Sequence, residues 1–456
     1  MNTKQGVMEE NKMGTMPVNR LLVSMSVPMM ISMIVQALYN IVDSIFVARV
    51  SEEALAAVSL AFPMQILYIS VGAGTGVGIN AVLSRALGEK DFEKANKAAE
   101  NGIFLSVMSY LIFLLIGIFA VGPFFRGQTQ QPEIVSSGIS YLSICLIFSI
   151  GVFTQMTFER LLQSTGKTFY TMITQGIGAI INIILDPIFI FGWLGFPAMG
   201  AAGAAIATVI GQISAGILAI IFNYRVNHEI KLDFRGFKPD RKIIKSIYIV
   251  GIPSVIMQAI GSVMTYGMNQ ILIQFSSTAT AVFGVYFKLQ SFVLMPIFGL
   301  NNGMIPIVAY NYGAANKERL MKTIKLSIGY AMAIMMCGLL AFQILPTELL
   351  KLFDASEHMM EIGIPALRTI SISFLFAGYC IIVSSVFQAL GNGVYSMVVS
   401  IARQLIVLLP VAYLLSKLGG LHTVWWAFPI AEIMSLVLSI IFLYCIYQKV
   451  IKHIGK

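Results

Sequence analysis

Charge is scarce in this chain of 456 residues: Asp, Glu, Lys and Arg together make up 11%, where soluble domains average about 25%. With 57% of residues hydrophobic and a mean hydropathy of +0.83, a water-soluble enzyme is excluded. Cysteine is also rare. Cys145, Cys337, Cys380 and Cys445 all sit in apolar segments without metal-ligand spacing, which excludes a disulfide framework or a zinc site and leaves packing. The basic excess, a net charge of +9, is spread through short connections and lacks the dense patch that phosphate binding uses, so no nucleic-acid partner is expected. The first twenty residues contain no apolar h-region, so nothing there reads as a cleaved signal peptide and the first helix is expected to insert as an uncleaved anchor. The glycine-rich GAGTGVG at 72–78 lacks the Walker Lys-Ser/Thr and does not fit GxGxxG after a strand, so no ATP site is expected. Its Gly72/Gly76 and Gly74/Gly78 pairs instead suit close helix contact.

What the chain has in abundance is long apolar runs. At about 20 residues per crossing they predict roughly twelve spans, near 21–48, 55–83, 101–124, 135–157, 169–191, 202–224, 246–274, 282–309, 324–346, 362–388, 396–416 and 423–447. An even number puts both termini on one side. That side carries 23 of the 30 Lys and Arg and the opposite side 5, so both termini are expected in the cytoplasm of a plasma (inner) membrane protein. The expected organisation is a cytoplasmic tail at 1–20, six helices at 21–224, a charged linker at 225–245, six more helices at 246–447 and a tail at 448–456.

The halves repeat. Pro28 and Pro253, Gly88 and Gly313, Gln163 and Gln388, and Gly166 and Gly391 are each 225 residues apart, and LLQSTGKTFYTM faces VFQALGNGVYSM. Two copies with an even number of spans each have parallel topology, related by an axis along the membrane normal. The fold class is therefore an all-α integral membrane protein of two pseudo-symmetric six-helix lobes, whose halves enclose a central cavity and rock to expose it to alternate sides.

Three acids lie in apolar surroundings, Asp43, Asp186 and Glu432. A carboxylate at mid-helix costs about 2.5–3.5 kcal/mol by insertion scales, a cost that suggests a use. Gln36, Tyr39, Asn40 and Asp43 share one face of the first span, and Asn182 and Asp186 share a face of the fifth, where Pro187 removes a backbone donor and local unwinding would free carbonyl oxygens for a cation. If the two faces meet, the paired carboxylates resist double ionisation and take up H⁺ or Na⁺ reversibly. The alternative is structural: Asp43 caps its helix at the interface and Asp186 starts an Asp-Pro turn. Tyr141 and Thr208 are candidates for the same region or simply packed, hydrogen-bonded residues. Arg403 and Glu432, in the last two spans, form either a buried ion pair or a contact to cargo. Lys288 either snorkels to the interface or faces a cavity, and Glu159–Arg160 reads as an interfacial pair at the end of the fourth span. The 26 Met and 30 Phe suit a pliable apolar cavity, or equally a lipid-facing surface.

The strings SVPMMISMIVQALYNIVDSIFVAR, SRALGEKD, LLQSTGKT, NIILDPIF followed by GAAGAAIAT, MPIFGLNNGMIPIVAYNYGAAN and FQALGN together resemble the multidrug and toxic compound extrusion (MATE) transporters over residues 15–450, most closely their MepA-type bacterial branch. The resemblance implies a V-shaped pair of lobes and a monomeric antiporter exporting amphipathic, mostly cationic organic compounds in exchange for inward H⁺ or Na⁺, without a further cofactor. Carried over residue by residue, it places the coupling-cation site on Asp43, Asn182, Asp186 and Thr208, a Na⁺ ion falling to Asp43, Asn182 and Asp186, with Gln36, Tyr39 and Tyr141 as neighbours. The second lobe has no acid in spans seven and eight, and only Glu361 at the outer edge of span ten, so no second cation site is expected there. A lipid-linked precursor flippase of the wider superfamily is the alternative. It would need several basic residues in the spans of the first half, and the sequence shows none clearly there. A receptor or scaffold would leave the repeat and the buried acids without a use.

Overall fold

A computed structural model describes residues 11–353 and 355–455, and every regular element among them is helical. After a one-turn helix α1 (Lys12–Thr15) come α2 (Val18–Ala48), α3 (Glu52–Gly88), α4 (Phe92–Phe119), α5 (Val121–Gln128), α6 (Pro132–Ile147), α7 (Ile150–Ser164), α8 (Thr168–Phe191) and α9 (Ala201–Val226). The second half contains α10 (Arg241–Leu272), α11 (Ser277–Gly313), α12 (Lys317–Ile344), α13 (Pro346–Lys351), α14 (Glu357–Ser371) and α15 (Phe374–Ala389). It ends with α16 (Gly393–Ile401), α17 (Leu409–Leu418), α18 (Leu421–Val424) and α19 (Ala427–Lys449). Ten helices, taking the α16–α17 and α18–α19 runs as one each, are long and apolar enough to cross a membrane, and the bent pairs α6/α7 (43°) and α14/α15 (50°) bring the number to twelve. Exposed positions such as Ile41, Ile112, Ile184 and Ile440 are apolar, a surface that only lipid solvates without aggregation.

The 225-residue spacing is written into the helix ends. α3 and α11 correspond at both ends, as do α4 and α12. Ser51 and Ser276 each cap a helix by accepting from the amide three residues on, and Asp91 and Asn316 do the same at the next helix, each cap stabilising its first turn by about 1 kcal/mol. Lys90 and Ala315 both adopt the left-handed conformation, at φ 58° and 53°.

Helices consecutive in the chain are not the main neighbours at the centre. α2 packs on α11 and α3 on α10 far more than α2 and α3 touch each other, so the lobes are joined through these four helices. Glycine makes the joint possible. A Cβ at Gly74 would lie 2.8 Å from the Gly251 carbonyl oxygen and one at Gly78 2.2 Å from that of Ile247, while Gly299 and Gly303, 225 residues further on, lie equally tight against Met30 and Ser26. At the face that carries the chain ends, the terminal face, Gly88 crosses the Tyr310 carbonyl and Gly313 that of Arg85, where a Cβ would meet oxygen at 2.0 and 2.1 Å. The other small pair of α3 packs within its own lobe: Gly72 faces Met156, and Gly76 makes room for Arg160.

Several expectations need correcting. Spans four and ten are not straight but break at 148–149 and 372–373, and span eleven contains a π-helical stretch, Ala402–Leu408. Pro187 does not unwind its helix, which runs on to Phe191. The part of the first twenty residues that is described is no free tail. Met13 is fully buried, and its carbonyl accepts from Asn311 Nδ2 (3.2 Å) and Arg319 Nη2 (3.0 Å), while Arg319 also bonds the Met16 carbonyl at 2.7 Å. Asn11 donates to the Thr165 carbonyl (3.2 Å) and to Glu229, so this segment ties both halves together at the terminal face. Burial, with Lys167 beside it, lowers the pKa of the Lys12 ammonium there, and burial raises that of the Glu229 carboxyl against the pull of Asn11 and the two lysines.

Candidate functional site

Between the lobes lies a cavity of about 690 Å³. It is closed toward the terminal face by the two glycine crossings and by α1. Its wall is amide-rich: twelve lining residues are Asn or Gln, among them Gln36, Gln163, Gln212, Gln258, Gln388 and Asn301. Among the described residues four Met and a single Phe, Phe298, reach it, so most of their Met and Phe serve the core and the lipid-facing surface. The repeat pair Gln163 and Gln388 both line this wall, one from each half.

Behind the wall of the first lobe, α2 brings Asp43 against Asp186 of α8, close enough for the two carboxyls to share a hydrogen bond. Neither acid caps a helix or starts a turn, because both lie inside continuous helices. Asp186 is fully buried, and Oδ1 of each acid is shielded without a hydrogen-bond partner. Asn182 sits one turn before Asp186. In the orientation that satisfies both ends of its amide it donates to Asp186 Oδ2 (3.2 Å) and accepts from the Thr208 hydroxyl (3.2 Å) and backbone amide (3.0 Å). Tyr39 lies beside the Thr208 hydroxyl and near both acids. Tyr39, Asn182 and Thr208 also line the cavity, so they form the partition between cargo space and carboxyl pair. Gln36 and Asn40 face the cavity directly, while Tyr141 is buried behind, with its hydroxyl accepting from Gln65 Nε2 at 2.8 Å. Gln65 has no counterpart in the sequence reading, since an isolated amide in a long span carries no signal by itself.

On the other lobe Arg403 and Glu432 pair, Nη1 to Oε2 at 3.1 Å, with Glu432 buried and Arg403 on the cavity wall within the π-helical stretch. π-Helical turns inside α-helices recur at functional positions because they rotate side chains out of register. Lys288 is elsewhere: exposed, with its ammonium 5.9 Å from the centre of the Phe353 ring and not on the cavity wall.

Glu159 and Arg160 are misplaced by the sequence reading. They are not an interfacial pair at the helix end: α7, which follows the 43° bend, presents both on the cavity wall. Glu159 is 3% exposed and is held by three neutral donors: Gln155 (3.1 Å) and Thr174 (2.7 Å) on Oε1, and Gln175 (2.8 Å) on Oε2. Arg160 Nη1 reaches Gln163 (2.8 Å) and, across the lobe boundary, Asn302 (2.9 Å). Both residues were visible as charges in the sequence. What hid them was their distance from the centre of a span assumed straight.

Twelve crossing helices in two repeated lobes, a polar cavity between them and a shielded carboxyl pair behind its wall define a multi-pass membrane transporter. The chain belongs to the MATE family, whose model, described as MatE, matches it twice, over residues 28–188 and 253–414. It is similar to the multidrug export protein MepA of Staphylococcus haemolyticus (strain JCSC1435), 28% identical over 425 residues with 93% of each chain covered, and to MepA of Staphylococcus aureus (strain MRSA252), 26% identical over 434 residues with 95% of each covered. Among solved structures it resembles a multidrug resistance MATE family transporter of the MOP superfamily in an outward-facing conformation, at a TM-score of 0.91 and 26% identity over 97% of this chain and 99% of that one. A MOP superfamily transporter from Pyrococcus furiosus Vc1 matches at a TM-score of 0.89 and 27% identity over the whole of both chains.

Proposed function

We propose that the protein is a proton-driven exporter of amphipathic, drug-sized organic compounds, working by alternating access with Asp43 and Asp186 as the coupling site. The observation that carries this reading is the pair of shielded, partnerless Oδ1 atoms on two adjoining carboxyls, whose neighbours Tyr39, Asn182 and Thr208 line the cargo cavity. Two carboxylates side by side resist full ionisation, and one added proton satisfies both. Hard cations gather several oxygen ligands, and here the Asn182 oxygen is engaged by Thr208 while its nitrogen faces Asp186. That favours H⁺ over Na⁺ at Asp43, Asn182 and Asp186. Among the described residues no cluster of three or more His, Cys, Asp or Glu offers a metal site.

With the terminal face cytoplasmic, as the distribution of Lys and Arg favours, the present closure of that face leaves the cavity for release on the outer side. Protonation of the pair removes its demand on Asn182, which loosens the partition and the cargo contacts on it. Cargo arriving from the cytoplasm reverses the order. Each ligand shifts the two states only by its differential affinity for them. Export of drug-like compounds rests on the multidrug export relatives. The resemblance of the sequence points to organic cations, yet no carboxylate on the cavity wall stands free to meet one, since Glu159 is fully engaged and Glu432 is paired.

Proteoliposomes loaded with one cationic and one carboxylate-bearing fluorescent amphipath, with ΔpH and a Na⁺ gradient imposed separately, test this. Transport driven by ΔpH in the wild type and lost in Asp43→Asn and Asp186→Asn is expected. Transport driven by Na⁺ alone would overturn the proton assignment, and undiminished ΔpH-driven transport in both variants would overturn the site.

A further inference from the structure

Arg160 stands out among the charged residues of the cavity. Only three charged residues line the wall among those described, Glu159, Arg160 and Arg403. Arg403 has an ion-pair partner in Glu432. Glu159 is withdrawn behind Gln155, Thr174 and Gln175, which leave it almost no exposed surface. Arg160 is the reverse case. It remains partly exposed, no carboxylate among the described residues pairs with it, and both of its hydrogen bonds, made by one nitrogen, go to the neutral side chains of Gln163 and Asn302. A guanidinium has five N–H donors in a planar fork that matches a carboxylate. Its space is kept open by Gly76, where a Cβ would fall 2.7 Å from Arg160 Cγ.

We propose that the cargo of this transporter carries an acidic group, a carboxylate, and that Arg160 is the residue that binds it, in competition with Asn302. This deepens the export reading and rests on it for the word cargo. Asn302 comes from α11 of the second half and Arg160 from α7 of the first, so their hydrogen bond ties the lobes at the cavity floor. The bond to the Asn302 amide has one charged partner, whereas a carboxylate supplies a second charge and accepts two parallel N–H bonds from the fork, so an arriving carboxylate draws the guanidinium away from Asn302 and loosens that tie. The acid is thereby both held and registered by the second lobe. Glu159 acts on Arg160 only through space, with its own oxygens engaged by Gln155, Thr174 and Gln175, so the fork can serve at most one carboxylate and leaves a pyrophosphate undercompensated, which favours compact monoacids over lipid-linked pyrophosphates. The amide-rich wall then meets the remaining polar groups of the cargo without adding charge.

The test is equilibrium binding, without any gradient, of three matched probes to the full-length protein in lipid nanodiscs, with empty nanodiscs subtracted: pyrenebutyrate, its neutral amide and the pyrenebutyl-trimethylammonium cation. The wild type is expected to bind the carboxylate about tenfold more tightly than the other two, the scale of one charge-assisted bond. Arg160→Gln brings the carboxylate down to the level of the amide and leaves the amide unchanged, and Arg160→Lys restores part of the preference. Asn302→Asp, which supplies the missing ionic partner from within, also abolishes the preference, whereas Asn302→Ala strengthens it. The proposal is overturned if the cation binds most tightly to the wild type, or if Arg160→Gln and Asn302→Asp both leave carboxylate binding unchanged. Because no ion gradient enters, these outcomes are independent of the loss of transport expected for Asp43→Asn.

Discussion

Gly88→Ala offers the sharpest test of how the two lobes seal the terminal face. The added methyl would lie 2.0 Å from the Tyr310 carbonyl oxygen, where ordinary contact begins at 3.4 Å, so α3 and α11 must part by about 1.4 Å at a point where close packing leaves no slack. The neighbour is backbone and cannot rotate away. Overpacking of this kind costs about 1–3 kcal/mol. That cost falls on the state closed at the terminal face and vanishes once the helices separate, so the ratio of closed to open molecules falls about 5- to 150-fold. Gly313→Ala, its repeat mate at 2.1 Å from the Arg85 oxygen, has the same effect. The readout is the spin-label distance between Lys97→Cys and Lys322→Cys, exposed positions 225 residues apart at the terminal ends of α4 and α12, in a background with the native cysteines replaced. A longer-distance population should grow in both variants but not in Gly122→Ala, where an added Cβ meets nothing within 4 Å. Distance distributions identical to the parent for Gly88→Ala and Gly313→Ala alike would refute the reasoning.

Other consequences are more local. Arg403→Ala strands Glu432, buried and with Oε1 already partnerless, and breaking such a pair costs about 3–5 kcal/mol. Since the Arg403 side chain is 31% exposed, the lower end is expected as a depressed thermal transition in detergent, largely recovered in Arg403→Met combined with Glu432→Leu, and a single variant melting like wild type would contradict the pairing. Gly76→Ala should melt normally, because the Arg160 side chain can yield, but should weaken pyrenebutyrate binding severalfold by pushing the guanidinium off its place. Unaltered binding would mean that Gly76 does not set the position of Arg160.

Much of the architecture was readable because hydropathy and repetition are properties of residues in order. The 225-residue spacing of Gly88 and Gly313 marks the crossing that closes one face, and Asp43, Asn182 and Asp186 were singled out by the cost of burying a carboxylate and by helical spacing, which the fold then brings together with Tyr39 and Thr208. What stayed hidden depends on geometry that no single helix specifies. Glu159 and Arg160 read as the end of a span because neither the 43° bend before α7 nor the face of α7 that meets the cavity leaves a mark in hydropathy. The amide wall is assembled from residues scattered over many helices, each unremarkable alone. Lys288 was left open between the interface and a cavity, because whether a lone cation points to lipid or inward depends on how its helix is rotated, and the fold places it off the cavity wall. The docking of α1 was invisible for a similar reason, its partners Asn311 and Arg319 being 298 and 306 residues away from Met13.

Those long separations also set an order of assembly. At about 5–20 residues per second of synthesis, Met13 waits roughly 15–60 s before Arg319 exists to receive it. α2 waits nearly as long for α11, and α3 a little over half as long for α10, their chief neighbours. For that interval the glycine faces of α3, made to fit backbone to backbone, are bare in the bilayer beside whatever other helices the insertion machinery releases. The first lobe therefore matures only when the second arrives, and a nascent chain arrested after α9 is expected to be handled by the cell as an incomplete protein rather than as half of a finished one.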